Sequence, residues 1–133
     1  MYTESLEEME NDFWGIPAFD SPIIVECYRL RKIPVSHLKP KDIRLLISQE
    51  IGLPILVPIS LDLLEDNPLI IFEDFRGDLL KTLCHVKQTY WNQNQEQYVQ
   101  YRFIAAKALE DLLSSEYVDQ ADYSLVQELR RSL

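Results

Sequence analysis

The sequence predicts an all-α fold, a single-domain, compact helical bundle of about six to seven helices over residues 1–133. Three observations carry this. Apolar residues recur three and four positions apart along most of the chain, the spacing that gathers side chains on one face of a helix. Prolines and glycines fall between those runs, where they start and stop helices. No convincing alternation of polar and apolar residues exceeds four positions, so strands lack their signature. A chain of 133 residues suits one core, able to bury roughly two-thirds of its unfolded surface.

Each element follows from its own residues. A helix is expected over Glu4 to Phe13. Ser21 before Pro22 reads as a cap with proline at the first helical position, followed by Ile23, Cys27 and Leu30 in a helix from about 22 to 32 that ends near Pro34. Pro40 opens the next helix, whose face is Ile43, Leu46, Ile47 and Ile51 and whose left-handed stop is Gly52. Pro54 can begin a new turn directly afterwards, and Pro58 must kink or restart that helix on its way to Asp66. With Ile55, Leu56, Ile59, Leu63 and Leu64 apolar on more than one side, this helix is expected to be central and largely buried. Residues 67–77 read as a loop anchored by Phe72 and Phe75, with a possible short edge strand at Pro68 to Phe72. Gly77 then precedes an N-cap Asp78 and a helix carrying Leu79, Leu80, Leu83 and Val86. After the polar break Asn92 to Gln97, a long helix presents Tyr98, Tyr101, Ala105, Ala108 and Leu112, and a last one over about 117–131 presents Val118, Ala121, Leu125 and Leu129.

Composition narrows the function. The chain is 47% hydrophobic and 26% charged with three glycines, values of an ordered domain rather than a low-complexity one. Its formal charge of −9 argues against nucleic acid as a direct partner and favours a basic protein or a cation. The acidity is uneven. Residues 1–20 hold Glu4, Glu7, Glu8, Glu10, Asp12 and Asp20 with no base, and 62–78 hold Asp62, Glu65, Asp66, Glu73, Asp74 and Asp78 against Arg76 alone. Between them, residues 21–61 are net basic. The apolar run Ile51 to Leu64 is too short for a bilayer and is interrupted by Pro54, Pro58, Ser60 and Asp62, so no membrane partner is expected. An acidic N-terminal stretch and two distant cysteines, Cys27 and Cys84, predict a cytoplasmic protein with reduced thiols.

Chemistry is thinly represented. There is no phosphate-cradling glycine loop, no closely spaced cysteine pair and no nucleophile elbow. His37 falls in a turn, while His85 follows Cys84 on a helix, where adjacent side chains point about 100° apart and do not converge. Asp62 with Glu65 or Asp66 places two carboxylates on one helix face, as di-metal sites require, but no Glu-x-x-His partner motif accompanies them. No enzyme activity, metal or cofactor is expected. Tyr90, Trp91, Tyr98 and Tyr101 read mainly as core, with Trp91 the one most suited to an interface.

The segments YRLRKIP (28–34), DIRLLISQEIGLPILVPISLDLLEDNPL (42–69) and GDLLKTLCHV (77–86), in this order, resemble the bacterial contact-dependent growth inhibition immunity proteins. The resemblance spans roughly residues 28–91, and its most specific part is the Gln-x-Ile-Gly-Leu stop followed by Val57-Pro58. Ser48 stands where many members have glycine, and the loop before Gly77 also departs from the pattern. The resemblance implies a cytosolic, helical, non-enzymatic protein whose partner is a toxin domain, often a nuclease, which it blocks at the active site or an essential surface. On that implication and the acidic block, Asp62, Glu65, Asp66, Glu73 and Asp74 are expected to face the toxin, with Trp91 as an anchor. The alternative is an acidic helical adaptor for some other basic protein.

Overall fold

The computed structural model describes residues 3–18, 20–116 and 118–133. Among the described residues there are eight α-helices and one 3-10 turn, and β pairing is limited to two isolated bridges, Ser5 with Pro34 and Ile71 with Arg76. The fold is all-α, as the helical spacing predicts. By internal contacts the chain divides into two compact units, Met1–Ile55 and Leu56–Leu133.

In the first unit, α1 (Leu6–Glu10) is shorter than the predicted span because it is capped tightly at both ends. Ser5 and Glu8 cap each other's backbone N–H groups, and Asn11 ends the helix in the left-handed conformation at φ 52°. Helix α2 (Pro22–Leu30) starts at Ser21, whose backbone but not hydroxyl serves as the cap, and turns Cys27 and Leu30 into the core. A 3-10 turn, Val35–His37, leads to α3 (Pro40–Ser48), which buries Ile43, Leu46 and Ile47. The stop of α3 differs from expectation. Glu50 takes the left-handed position at φ 62°, its N–H donating to the Ile47 carbonyl while that of Ile51 reaches Leu46. These two bonds close the helix before Gly52, so the glycine instead shapes the entry to α4 (Leu53–Asp66), where its carbonyl accepts from Ile55 N–H.

Helix α4 runs through Pro58 without restarting and continues into the second unit. Its buried residues there are Leu56, Val57, Ser60, Leu61 and Leu64, a single broad stripe, while Leu63 is exposed and Ile59 only half-buried. The expectation of burial on more than one side is therefore corrected, since the stripe occupies one face. Ser60 is tolerated inside because its hydroxyl donates to the Leu56 carbonyl at 2.8 Å. The loop 67–77 follows, with no edge strand beyond the Ile71–Arg76 bridge.

Helix α5 (Asp78–Cys84) contributes Leu79, Leu80 and Leu83 to the core. A short α6 (Gln88–Gln93), not expected from so polar a stretch, buries Tyr90 and Trp91. Asn94 alone separates it from α7 (Gln95–Leu113). Helix α8 (Gln120–Ser132) packs on α7 and α5 and buries Leu125, Val126 and Leu129, while α7 buries the small residues Ala105 and Ala108. The predicted start of α8 at Tyr117 lies outside the described residues; the helix is capped at Asp119, and Val118, expected on its buried face, precedes it and is exposed. No helix among the described residues is long and apolar enough to cross a membrane.

Candidate functional site

The acidic block of the second unit is organised around Gly77 and Asp78. Gly77, not Asp78, is the cap of α5, in the left-handed conformation at φ 80°. Space favours glycine there as well, because an added Cβ would press on the buried Leu125 side chain. Asp78 is then the first helical residue and is fully buried. Its carboxylate accepts from the backbone N–H groups of Phe72 (2.9 Å), Glu73 (2.8 Å) and Asp74 (2.7 Å), with Phe75 at 3.4 Å, and from Leu79 N–H at 2.8 Å. Burial pushes this carboxyl up, but the N–H groups of Asp74, Phe72, Glu73 and Phe75 outweigh it and hold the pKa below the usual carboxylate range. The loop thus wraps around an internal anion. Arg76 closes it from the other side, its Nε and Nη2 donating to Asp122 Oδ1 and Oδ2 at 2.9 and 2.6 Å. Asp122 is itself buried and also accepts from Asp119 N–H in the cap of α8.

This frame leaves Glu73 and Asp74 exposed on the loop and Asp62, Glu65 and Asp66 exposed at the end of α4. Glu65 Oε1 accepts from Gln100 Nε2 at 3.0 Å. Ile71, 65% exposed, is the large apolar side chain displayed by the acidic loop.

Trp91, read with its neighbours mainly as core and singled out as the one most suited to an interface, is buried. It is 3% exposed, stacked on Tyr101 and Tyr98 with ring centroids 5.0 and 5.6 Å apart, and edge-on to Tyr90. Helix α6 turns the indole inward, so the side chain is core. Trp91, Tyr98 and Tyr101 line a cavity of about 390 Å³ with Cys84, His85 and Glu128. His85 Nε2 lies 3.1 Å from Glu128 Oε2. Burial raises the Cys84 pKa against the opposing effect of its hydrogen bond from the Tyr101 hydroxyl, so the thiol stays protonated and is a poor nucleophile. Among the described residues no group of three or more His, Cys, Asp or Glu is placed to hold a metal ion.

The other acidic block, in the first unit, leads from α1 into a strap over residues 11–18. Arg31, 1% exposed, is its fulcrum: Nη1 donates to Glu10 Oε1 and Nη2 to the Asp12 carbonyl, both at 2.6 Å, and the guanidinium lies 4.3 Å from the Trp14 ring centroid. Trp14 meets Tyr28 edge-on at 5.0 Å and donates its backbone N–H to Glu7 Oε2 at 2.6 Å. Glu7 also pairs with Lys32 at 3.2 Å. The Trp14 N–H, ahead of Lys32 and against burial, holds the Glu7 carboxyl below its usual range. The strap leaves Phe13 65% and Ile16 93% exposed, with Gly15 at φ 55° turning the chain between them. Sequence reasoning missed this display. Its signal is FWGIP, apolar residues at no helical spacing between acids, ending in a glycine and a proline.

The all-α scaffold thus presents two acidic segments, each carrying exposed apolar side chains. Residues 8–100 match the family of CDI immunity proteins, over more than two-thirds of the chain, and the chain belongs to that family. No curated protein and no solved structure matches it.

Proposed function

We propose that the protein is the immunity partner of a contact-dependent growth inhibition toxin, binding a cognate toxin domain in the cytoplasm and neutralising it without chemistry of its own. The toxin is proposed to be a nuclease, blocked at its active site or at an essential cationic surface. Family membership over residues 8–100 is the observation that carries this reading. The acidic surface supports it. A nuclease presents cations to phosphate, and carboxylates opposite them accelerate encounter and exclude wrong partners. We assign Asp62, Glu65, Asp66, Glu73 and Asp74 to the toxin-facing surface, with Ile71 in place of Trp91 as the apolar contact. Asp78 serves by holding the backbone from which Glu73 and Asp74 project.

The test is co-expression of the tagged chain with the toxin fragment encoded immediately upstream, scored by pull-down and growth rescue together. A cognate-only complex that restores growth is the expected result. Reversing the five acids to lysine is expected to lower the association rate roughly tenfold or more at low salt and to flatten its salt dependence. Unchanged binding with unchanged salt dependence would remove these acids from the interface. No complex and no rescue would return the chain to an acidic adaptor for another basic protein.

A further inference from the structure

We infer that the strap of the first unit, residues 11–18, is a docking surface for the cationic toxin domain, with Phe13 and Ile16 as apolar anchors inside an acidic rim of Glu4, Glu8, Asp12 and Asp20. This rests on the neutralisation reading above but not on the acidic surface of the second unit. Three observations carry it. Phe13 and Ile16 stand 65% and 93% exposed within a few residues of each other, although Trp14 between them is folded inward against Arg31 and Tyr28. The backbone on both sides of Phe13 is pinned, by Arg31 on the Asp12 carbonyl and by Glu7 on the Trp14 N–H, and Ile16 follows two residues on across Gly15. Side chains held out on a pinned backbone lose little further freedom when a partner covers them, which is the anatomy of a binding hot spot.

Charge decides the occupant. Residues 1–20 carry six carboxylates and no base, of which Arg31 and Lys32 offset Glu10 and Glu7. Glu4, Glu8, Asp12 and Asp20, which flank the anchors in sequence, are exposed, and Asp12 Oδ2 accepts from Trp14 Nε1 at 3.2 Å. A second copy of this chain would bring the same carboxylates face to face, so self-association through the strap is opposed. A cationic surface with an apolar recess fits both features, and the toxin domain proposed above is a partner of that chemistry.

The experiment compares the full-length chain with a Phe13→Ser/Ile16→Ser double variant, an Ile16→Arg single variant and a Glu4→Lys/Glu8→Lys/Asp20→Lys triple variant. Each is titrated with the upstream-encoded toxin fragment at two salt concentrations, alongside growth rescue, size exclusion and thermal melting. The double variant is expected to weaken binding at least about tenfold through faster dissociation, with its salt dependence kept. The triple variant is expected to slow association and flatten the salt dependence. Ile16→Arg, at a nearly fully exposed position, is expected to weaken binding without moving the melting temperature, which separates binding from folding should the Phe13 change lower stability. Wild-type binding and rescue with all three variants binding alike would overturn the strap as an interface and leave neutralisation standing. A wild-type chain that neither binds nor rescues would overturn both. A wild-type dimer that the double variant dissolves would overturn the toxin as the occupant.

Discussion

Arg31 and Asp78 hold two loops by the same device with the charge inverted. In the first unit a buried cation collects a carboxylate, a carbonyl and an indole ring; in the second a buried anion collects a run of backbone N–H groups. The difference lies in what each leaves unsatisfied. Asp78 has a donor for each oxygen, supplied by immobile backbone, whereas Arg31 keeps a buried Nε without a hydrogen-bond partner and binds a Glu10 side chain that can swing into water. Backbone donors have no such escape, so the anion-centred loop depends more on its central charge than the cation-centred strap does.

Removing each charge tests this directly. Asp78→Ala strands several backbone N–H groups at once and is expected to cost about 3–5 kcal/mol in chemical denaturation, with Asp78→Asn intermediate because it keeps one acceptor oxygen. Equal costs for Asp78→Ala and Arg31→Ala would erase the distinction. Gly77→Ala belongs with the large effects, at about 3 kcal/mol, since it combines a left-handed backbone with the Leu125 contact. Arg31→Met, which keeps volume and frees Glu10 to solvent, is expected to cost less, about 1–2 kcal/mol, and to expose Trp14 to fluorescence quenchers.

Acid tests, without mutation, the carboxylates that hold the two loops, Glu7 in the strap and Asp78 in the second unit. The Asp78 carboxyl is lowered on folding, so the stability it contributes is complete above the unfolded carboxylate range near pH 4 and is lost as pH falls through the folded pKa. Asp122, lowered first by Arg76 against its burial, adds to the same loss. Amide exchange protection at Phe72, Glu73 and Asp74 is therefore expected to collapse at acid pH in step with the stability of the second unit. Protection that survives in acid after the second unit has lost its stability would place the loop's support elsewhere. The smallest effect expected is at Glu50, which sits in the left-handed region without being glycine. Glu50→Gly should stabilise by about 1 kcal/mol, in contrast to the loss at Gly77→Ala, and a loss there instead would mean that the Glu50 side chain contributes more than its strain costs.

Much of the helical architecture was legible because it depends on neighbours in the chain. Pro22 and Pro40 open helices where their fixed φ suits the first turn, and Leu79, Leu80 and Leu83 face inward as their spacing dictates. The errors have the opposite character. Helix α6 was hidden because burial of Tyr90 and Trp91 outweighs the weak propensity of its polar neighbours. Trp91 moved from expected anchor to core because its partners, Tyr98 and Tyr101, lie on the next helix. Asp78 was read as a cap because its loop donors cannot be seen from residue type alone.

The sequence by itself determined an all-α chain, the acidic blocks and the segments that resemble immunity proteins, because composition, helix punctuation and helical spacing are local properties. Only the tertiary structure decided which charges turn inward and which side chains are displayed. Arg31, Glu7 and Asp78 are buried while Phe13 and Ile16 are exposed, an inversion of residue preference made favourable by hydrogen bonds that fold the backbone around each buried charge.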